Sequence, residues 1–195
     1  MSPLAGDVAA AAGFTLGGLR PFPTAITSRS GDRSNGCIVL SGGSGSVIPE
    51  APRLTVGLMS SNHSHGLVTE SSILAMHLLS ADPDQLQRSL DIIMALAGSS
   101  GAEGDKLAGL ATREGQTGVP ILTDALSVVE ARVVNSMVCE DQTIFLADVV
   151  HAERLRPGPK LDIATAWSAL PDEWKTHYEA RLQQEIATAR IDRGL

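Results

Sequence analysis

The sequence predicts a mainly-β domain, a β-barrel with helical additions. Two observations carry that reading. Six segments have strand character against at least two helical ones, and the order lacks the regular strand–helix alternation of a parallel α/β sheet. The last two strand segments are joined by a link too short for anything but an antiparallel hairpin.

Taken in order, "TAITSRS" (24–30) is the first strand. "GDRSNG" follows as a turn, and "GCIVLSG" (36–42) returns as the second strand. "RLTVGLM" (53–59) alternates apolar and polar residues and forms the third. "SILAMHLL" (72–79) is the fourth. "SVVEARVVNSMV" (127–138) and "TIFLADVVHAERL" (143–155), linked through "CEDQ", are the fifth and sixth. On the fifth, Val129, Ala131 and Val133 share a buried face, and Glu130 and Arg132 share a face that is at least partly wet. The alternation lapses at Val134, which a bulge or a fully covered strand end would explain.

Two helices fit around these strands. "DPDQLQRSLDIIMALAG" (82–98) opens on an Asp-Pro start and stops at Gly98. The C-terminal "LPDEWKTHYEARLQQEIATARI" sets Trp174, Tyr178, Leu182 and Ile186 every four residues, a stripe that packs onto the body or a partner subunit. "MSPLAGDVAAAAGF" lacks a basic region, carries Asp7 and reads as a small-residue helix or arm rather than a signal peptide.

Composition narrows the function. The 195 residues suffice for one domain with a real core; 43% are hydrophobic and 19% charged. No stretch approaches the roughly 20 apolar residues of a membrane span. A net charge of −7 with scattered arginines argues against nucleic acid binding. Cys37 and Cys139 lie far apart, outside any CxxC frame, and read as reduced thiols of a cytoplasmic protein. No cluster offers the three or four ligands of a zinc site, so no metal is expected. Aromatic residues are only 3%, so a planar ligand would rest on backbone and aliphatic side chains.

Few segments look chemical. "SGGSGS" (41–46) lacks the lysine of a Walker loop and the βαβ context of a dinucleotide fingerprint; it is a ligand-contacting strand end or a glycine-rich bend. "SSNHSH" (60–65) follows a strand and opens a short helix. It is a capped turn, a two-histidine metal site or an anion cradle built from Asn62, Ser64 and helix N–H groups. His77 and His151 read as satisfied core or surface histidines, His177 as solvated, and Cys37 as a buried thiol rather than a reactive one. No Ser/His/acid triad can be assigned.

Three stretches together resemble the flavin reductase-like family of FMN-binding split barrels. They are "TAITSRSGDRSNGCIVLS", "PRLTVGLMSSNHSHGLVTESSILAMHLLS", and "DKLAGLATREGQTGVPILTDALSVVEARVV" with "CEDQTIFLADVV". The resemblance covers roughly residues 20–155. It implies a six-stranded split (Greek-key) β-barrel with peripheral helices and a C-terminal helix. The division would be an N-terminal arm at 1–19, the barrel at 20–155 and a helical extension at 156–195. It further implies a homodimer with FMN at the subunit interface, NAD(P)H as co-substrate and hydride transfer to flavin, with room for a monooxygenase partner. Carried over by position, Asn35, Gly36, Cys37 and Ser41 would border the flavin ring. Asn62, Ser64 and His65 would hold the phosphate, with Lys106 nearby. Two departures stand out. Gln142 occupies the place of the histidine that helps position nicotinamide in many members. His63 stands where many have an arginine or lysine beside the phosphate. The alternatives are a non-catalytic FMN carrier or electron-transfer protein on the same barrel, and a barrel used only as a dimeric interaction module.

Overall fold

The computed structural model describes residues 5–19, 22–99 and 104–195. The first four residues of the N-terminal arm, and residues 20 and 21 where the barrel was expected to begin, lie outside the described residues. The rest of the arm is helix α1 (Gly6–Gly18), which buries no residue.

The hairpin of β1 (Thr24–Ser30) and β2 (Arg33–Val39) turns tightly. Ser30 pairs with Arg33, so only Gly31 and Asp32 form the loop, and Gly31 adopts φ 57°, as a two-residue hairpin requires of its first central residue. The strand therefore restarts three residues earlier than the sequence suggested, and Asn35-Gly36 lies within β2. "SGGSGS" holds the two-residue β3 (Gly43–Ser44), which pairs with β4 (Arg53–Met59). Helix α2 (His63–Ser71) follows and leads to β5 (Ile73–Leu78).

Helix α3 (Pro83–Ala97) has the expected ends: the Asp82 side chain accepts from the Asp84 N–H, Pro83 begins the helix and Gly98 caps it. A short ribbon, β6 (Thr112–Glu114) with β7 (Pro120–Leu122), precedes the long hairpin of β8 (Ser127–Cys139) and β9 (Gln142–Arg154). The chain ends in α4 (Ile163–Ala169) and α5 (Asp172–Asp192). No described helix is long and apolar enough to cross a membrane.

The main sheet is antiparallel throughout, in the order β2-β1-β5-β8-β9-β4-β3. Six of its seven strands are those expected from the sequence; the seventh is the two-residue β3. Ile26, Cys37, Leu58, Leu74, Ala131 and Phe145 belong to one buried cluster. They come from β1, β2, β4, β5, β8 and β9, so strands near both ends of the sheet share one core. The sheet must curl to achieve that, and the fold is the β-barrel class expected. A second cluster packs Leu90, Ile93 and Leu96 of α3 against the outside of the curl, with Ala25, Leu79 and Leu122.

Val134 is the extra residue of a bulge: Val133 faces Ala147 and Asn135 faces Leu146. A second irregularity, between Glu130 and Ala131, leaves Val150 of β9 as the extra residue. Of the face expected to be at least partly wet, Arg132 is exposed, but Glu130 is only 1% exposed because the loop around Gln116 and Thr117 covers it. Its carboxylate accepts from Gln116 N at 3.0 Å, Thr117 N at 2.7 Å and Thr117 Oγ1 at 2.7 Å. Burial alone would raise its pKa. The Thr117 and Gln116 hydrogen bonds and the His151 charge outweigh burial and lower it.

His77 is fully buried on β5, within 3.2 Å of the Ala25 carbonyl through Nδ1, while its Nε2 accepts from Leu122 N at 3.1 Å. It is a satisfied core histidine. Burial lowers its pKa to about 4, against the pull of the Ala25 carbonyl and Glu130.

That burial makes stability pH-dependent. Between 6.5 and about 4 the unfolded chain takes up a proton that the folded chain refuses. Stability from this residue is complete above pH 6.5 and is lost as pH falls toward 4, by about 3 kcal/mol. Urea unfolding at pH 7 and pH 4 should show a steeper acid loss for wild type than for His77→Gln. Parallel profiles would contradict the assignment.

Candidate functional site

The site grows from the junction of β4 and α2. Asn62 caps α2, its Oδ1 accepting from Ser64 N at 3.0 Å. Ser64 is fully buried and its Oγ accepts from the Asn35 Nδ2 of β2 at 3.1 Å. The Ser64 and Asn62 side chains and the Lys106 charge act on the Cys37 thiol, each favouring its ionised form. Burial pushes the thiol pKa up, and those three influences only partly offset it. Cys37 is therefore a neutral, buried thiol, as expected from its place in a strand.

These residues stand at the wall of a cavity of about 350 Å³. Of the residues singled out from the sequence, Cys37, Asn62, His63 and Lys106 line it. Lys106 is only 7% exposed. Ile38, Met59, Leu96 and Ala97 give it an apolar side. Asn35 and Ser64 do not line it but brace the wall from behind. Gly36 is turned away: a Cβ there would stand 2.9 Å from Leu96 Cδ2 and 3.0 Å from the Ile26 carbonyl oxygen, so this glycine lets α3 approach β2.

The remaining predicted residues gather beside the cavity, around β4 and β9. Ser41 Oγ donates to the Gly57 carbonyl at 2.8 Å and accepts from Gly57 N at 3.2 Å. Gln142 reaches the same glycine, its Oε1 3.1 Å from where a Cβ would be. Gln142 also pairs with Met59, which lines the cavity. His65 Nε2 lies 2.9 Å from Thr143 Oγ1, and burial lowers its pKa, favouring the neutral ring. His63 and His65 thus face different surroundings, and among the described residues no three His, Cys, Asp or Glu side chains converge as a metal site would require.

The far wall was missed in the sequence. Tyr178, Arg181, Gln184, Glu185 and Thr188 of α5 close the cavity. A signal existed: Tyr178, Arg181, Glu185 and Thr188 recur at three- and four-residue spacing, one face of a helix. The apolar stripe of Trp174, Tyr178, Leu182 and Ile186 drew attention to the neighbouring face. That stripe is only half-buried. Trp174 and Tyr178, one turn apart on the helix, stack at 5.1 Å; the helix is held to the body by Trp167 of α4, set edge-on to Tyr178 at 6.0 Å, and by Trp174 packed against the α3 cluster.

A second cavity of about 610 Å³ shares His63 and is lined by Arg29, Arg33 and Arg113. Asp32, Asp105 and Glu114 line it as well, so its acidic side chains match its three arginines, each of which is also paired with a glutamate, Glu114, Glu70 and Glu153 respectively.

The chain matches the family model described as flavin reductase like domain over residues 20–163. Among characterised proteins it is similar to the ferric-chelate reductase (NAD(P)H) of Archaeoglobus fulgidus, 29% identical over 113 residues. That match covers 57% of this chain and 64% of the relative, less than two thirds of its length. Among solved structures, an FMN-binding protein from Thermus thermophilus shares 21% identity with a TM-score of 0.63, over 80% of this chain and 78% of that one. The NADH:FAD oxidoreductase of Streptomyces globisporus shares 19% identity with a TM-score of 0.64, over 83% and 90%. At these identities the two structures speak to the fold alone.

The Asn35–Ser64 contact has a measurable worth. Either Asn35→Ala or Ser64→Ala leaves a buried partner unsatisfied and should cost about 1–3 kcal/mol. The double variant should cost less than the two single losses combined, because the second change removes the orphan. Urea unfolding of the four proteins measures this; strict additivity would mean that the contact carries no coupling.

Proposed function

Because the chain belongs to the flavin reductase-like domain family, we propose that it is a flavin-dependent oxidoreductase that binds FMN in the cavity beneath α5 and uses NAD(P)H as reductant. The observation that carries this reading is the two-sided lining of the cavity. Ile38, Met59, Leu96 and Ala97 offer a flat ring an apolar surface, while Asn62, His63 and Lys106 offer a phosphate hydrogen bonds and positive charge. Its volume of about 350 Å³ suits one mononucleotide better than a dinucleotide.

When bound, FMN would supply the ring that accepts a hydride from NAD(P)H. The protein's part is position and electrostatics. Asn62 presents its amide from a capped helix start, and Ser64 with Asn35 keeps that start fixed. The small Cys37 thiol leaves room for a ring edge. Gln142 does not line the cavity but pairs with Met59, which does, and it is the candidate for nicotinamide positioning. Its amide can donate and accept a hydrogen bond but carries no charge.

That last feature favours a second reading, an FMN-binding carrier or electron-transfer protein that binds without rapid turnover. A monooxygenase taking reduced flavin remains the natural partner for the first reading. Val134, Met137 and Val138 of β8 are 49%, 57% and 79% exposed, a run that a second copy of this chain would cover. We therefore keep the homodimer as part of the proposal. Both cysteines are free, which suits a reducing compartment such as the cytoplasm.

Purified protein should be yellow, or should quench FMN fluorescence on titration, and should oxidise NADH or NADPH when flavin is present. Binding without oxidation selects the carrier; no binding by titration or thermal shift defeats both. In a separate measurement, light scattering after size exclusion should give twice the chain mass. Val138→Glu should shift it toward the monomer, and a wild-type monomer would remove the dimer from the account.

A further inference from the structure

The matched family segment ends at residue 163, yet the cavity is completed by a helix that begins at Asp172. We propose that Arg181, on this C-terminal helix, is the cationic partner of the flavin phosphate. The proposal rests on the FMN-binding reading above and assigns the charge that the helix start itself lacks. The turn that opens α2 carries His63 where a permanently charged side chain would best meet a phosphate dianion.

Arg181 is placed for the role. Its side chain is 26% exposed and lines the same cavity as Asn62, His63 and Lys106. Trp167 of α4, edge-on to Tyr178, and Trp174, packed against the α3 cluster, anchor the preceding turn of α5, so the guanidinium is not on a loose tail. Its present contacts are light. Nη1 donates to the Ala97 carbonyl at 3.3 Å, a long bond, and Nη2 donates to Glu185 at 3.1 Å from a single nitrogen. A guanidinium has five N–H groups in a fork, so these two contacts leave capacity for a bidentate grip on phosphate.

Glu185 also lines the cavity and opposes an anion. It stands one turn from Arg181 and pairs with it, while Lys106 lines the same cavity. A dianionic phosphate lowers the energy of that arrangement where a neutral hydroxyl would not. The ligand is thus recognised as a phosphate monoester, and the discrimination lies between FMN and riboflavin, which differ by that group alone.

The test is fluorescence titration of the full-length protein with FMN and with riboflavin, for wild type, Arg181→Gln and Arg181→Lys. Thermal melts accompany it to establish folding. Arg181→Gln should weaken FMN binding tenfold or more and change riboflavin binding less than twofold; Arg181→Lys should fall between. Equal losses for both flavins would make Arg181 a structural brace and overturn the proposal. So would unchanged FMN affinity, or a rise only in the KM for NAD(P)H, which would assign the guanidinium to the nicotinamide nucleotide. Wild-type protein that binds neither flavin would instead defeat the functional reading itself.

Discussion

The Asn35 amide and the Ser64 hydroxyl, 3.1 Å apart and both shut off from water, hold the site together. One belongs to β2 and the other to the first turn of α2, elements separated along the chain by β3 and β4. Their bond fixes the height at which α2 starts, and therefore where Asn62 and Cys37 stand. Losing either partner strands the other in a place water cannot reach, which makes the junction selective for this pairing. Everything proposed about ligand binding depends on that alignment.

The curled sheet sets the junction up. Because β2 and β4 share one core across the curl, the end of β4 and the middle of β2 come together, and α2 starts in the space between them. Gly36 lets α3 close on β2, and Leu96 and Ala97 then become the apolar side of the cavity. At the other end of the fold, the buried carboxylate of Glu130 ties the Gln116–Thr117 loop to β8. The helical extension adds the last wall through Trp167 set against Tyr178 and Trp174 packed on the α3 cluster rather than through a fully buried apolar face, since α5 buries no residue completely.

Much of this was legible in the residues. The β1 and β4 boundaries follow from β-branched and alternating patterns, and α3 from Asp82-Pro83 and Gly98, because local chemistry fixes those ends. The start of β2 was misplaced because Asn35-Gly36 is a turn dipeptide by composition, while Gly31-Asp32 had already closed the hairpin. Alternation put Glu130 and Arg132 on a face that is at least partly wet; Arg132 is exposed, and a loop of distant residues covers Glu130. The short α4, β3 and the β6–β7 ribbon have too few residues for a periodic signal. Of the residues that line the cavity, Cys37, Asn62, His63 and Lys106 were singled out from the sequence, and those of α5 were not. That residues 37 and 181 line one cavity is a property of packing, and no local pattern encodes it.

The central claim is that the cavity between α2 and α5 receives a flavin mononucleotide. The most direct measurement is a crystal structure of the protein grown with FMN. The account predicts electron density for the ring against Ile38, Leu96 and Ala97, with the phosphate toward Asn62, His63 and Arg181. Flavin bound elsewhere on the barrel, with this cavity closed and unchanged, would contradict it.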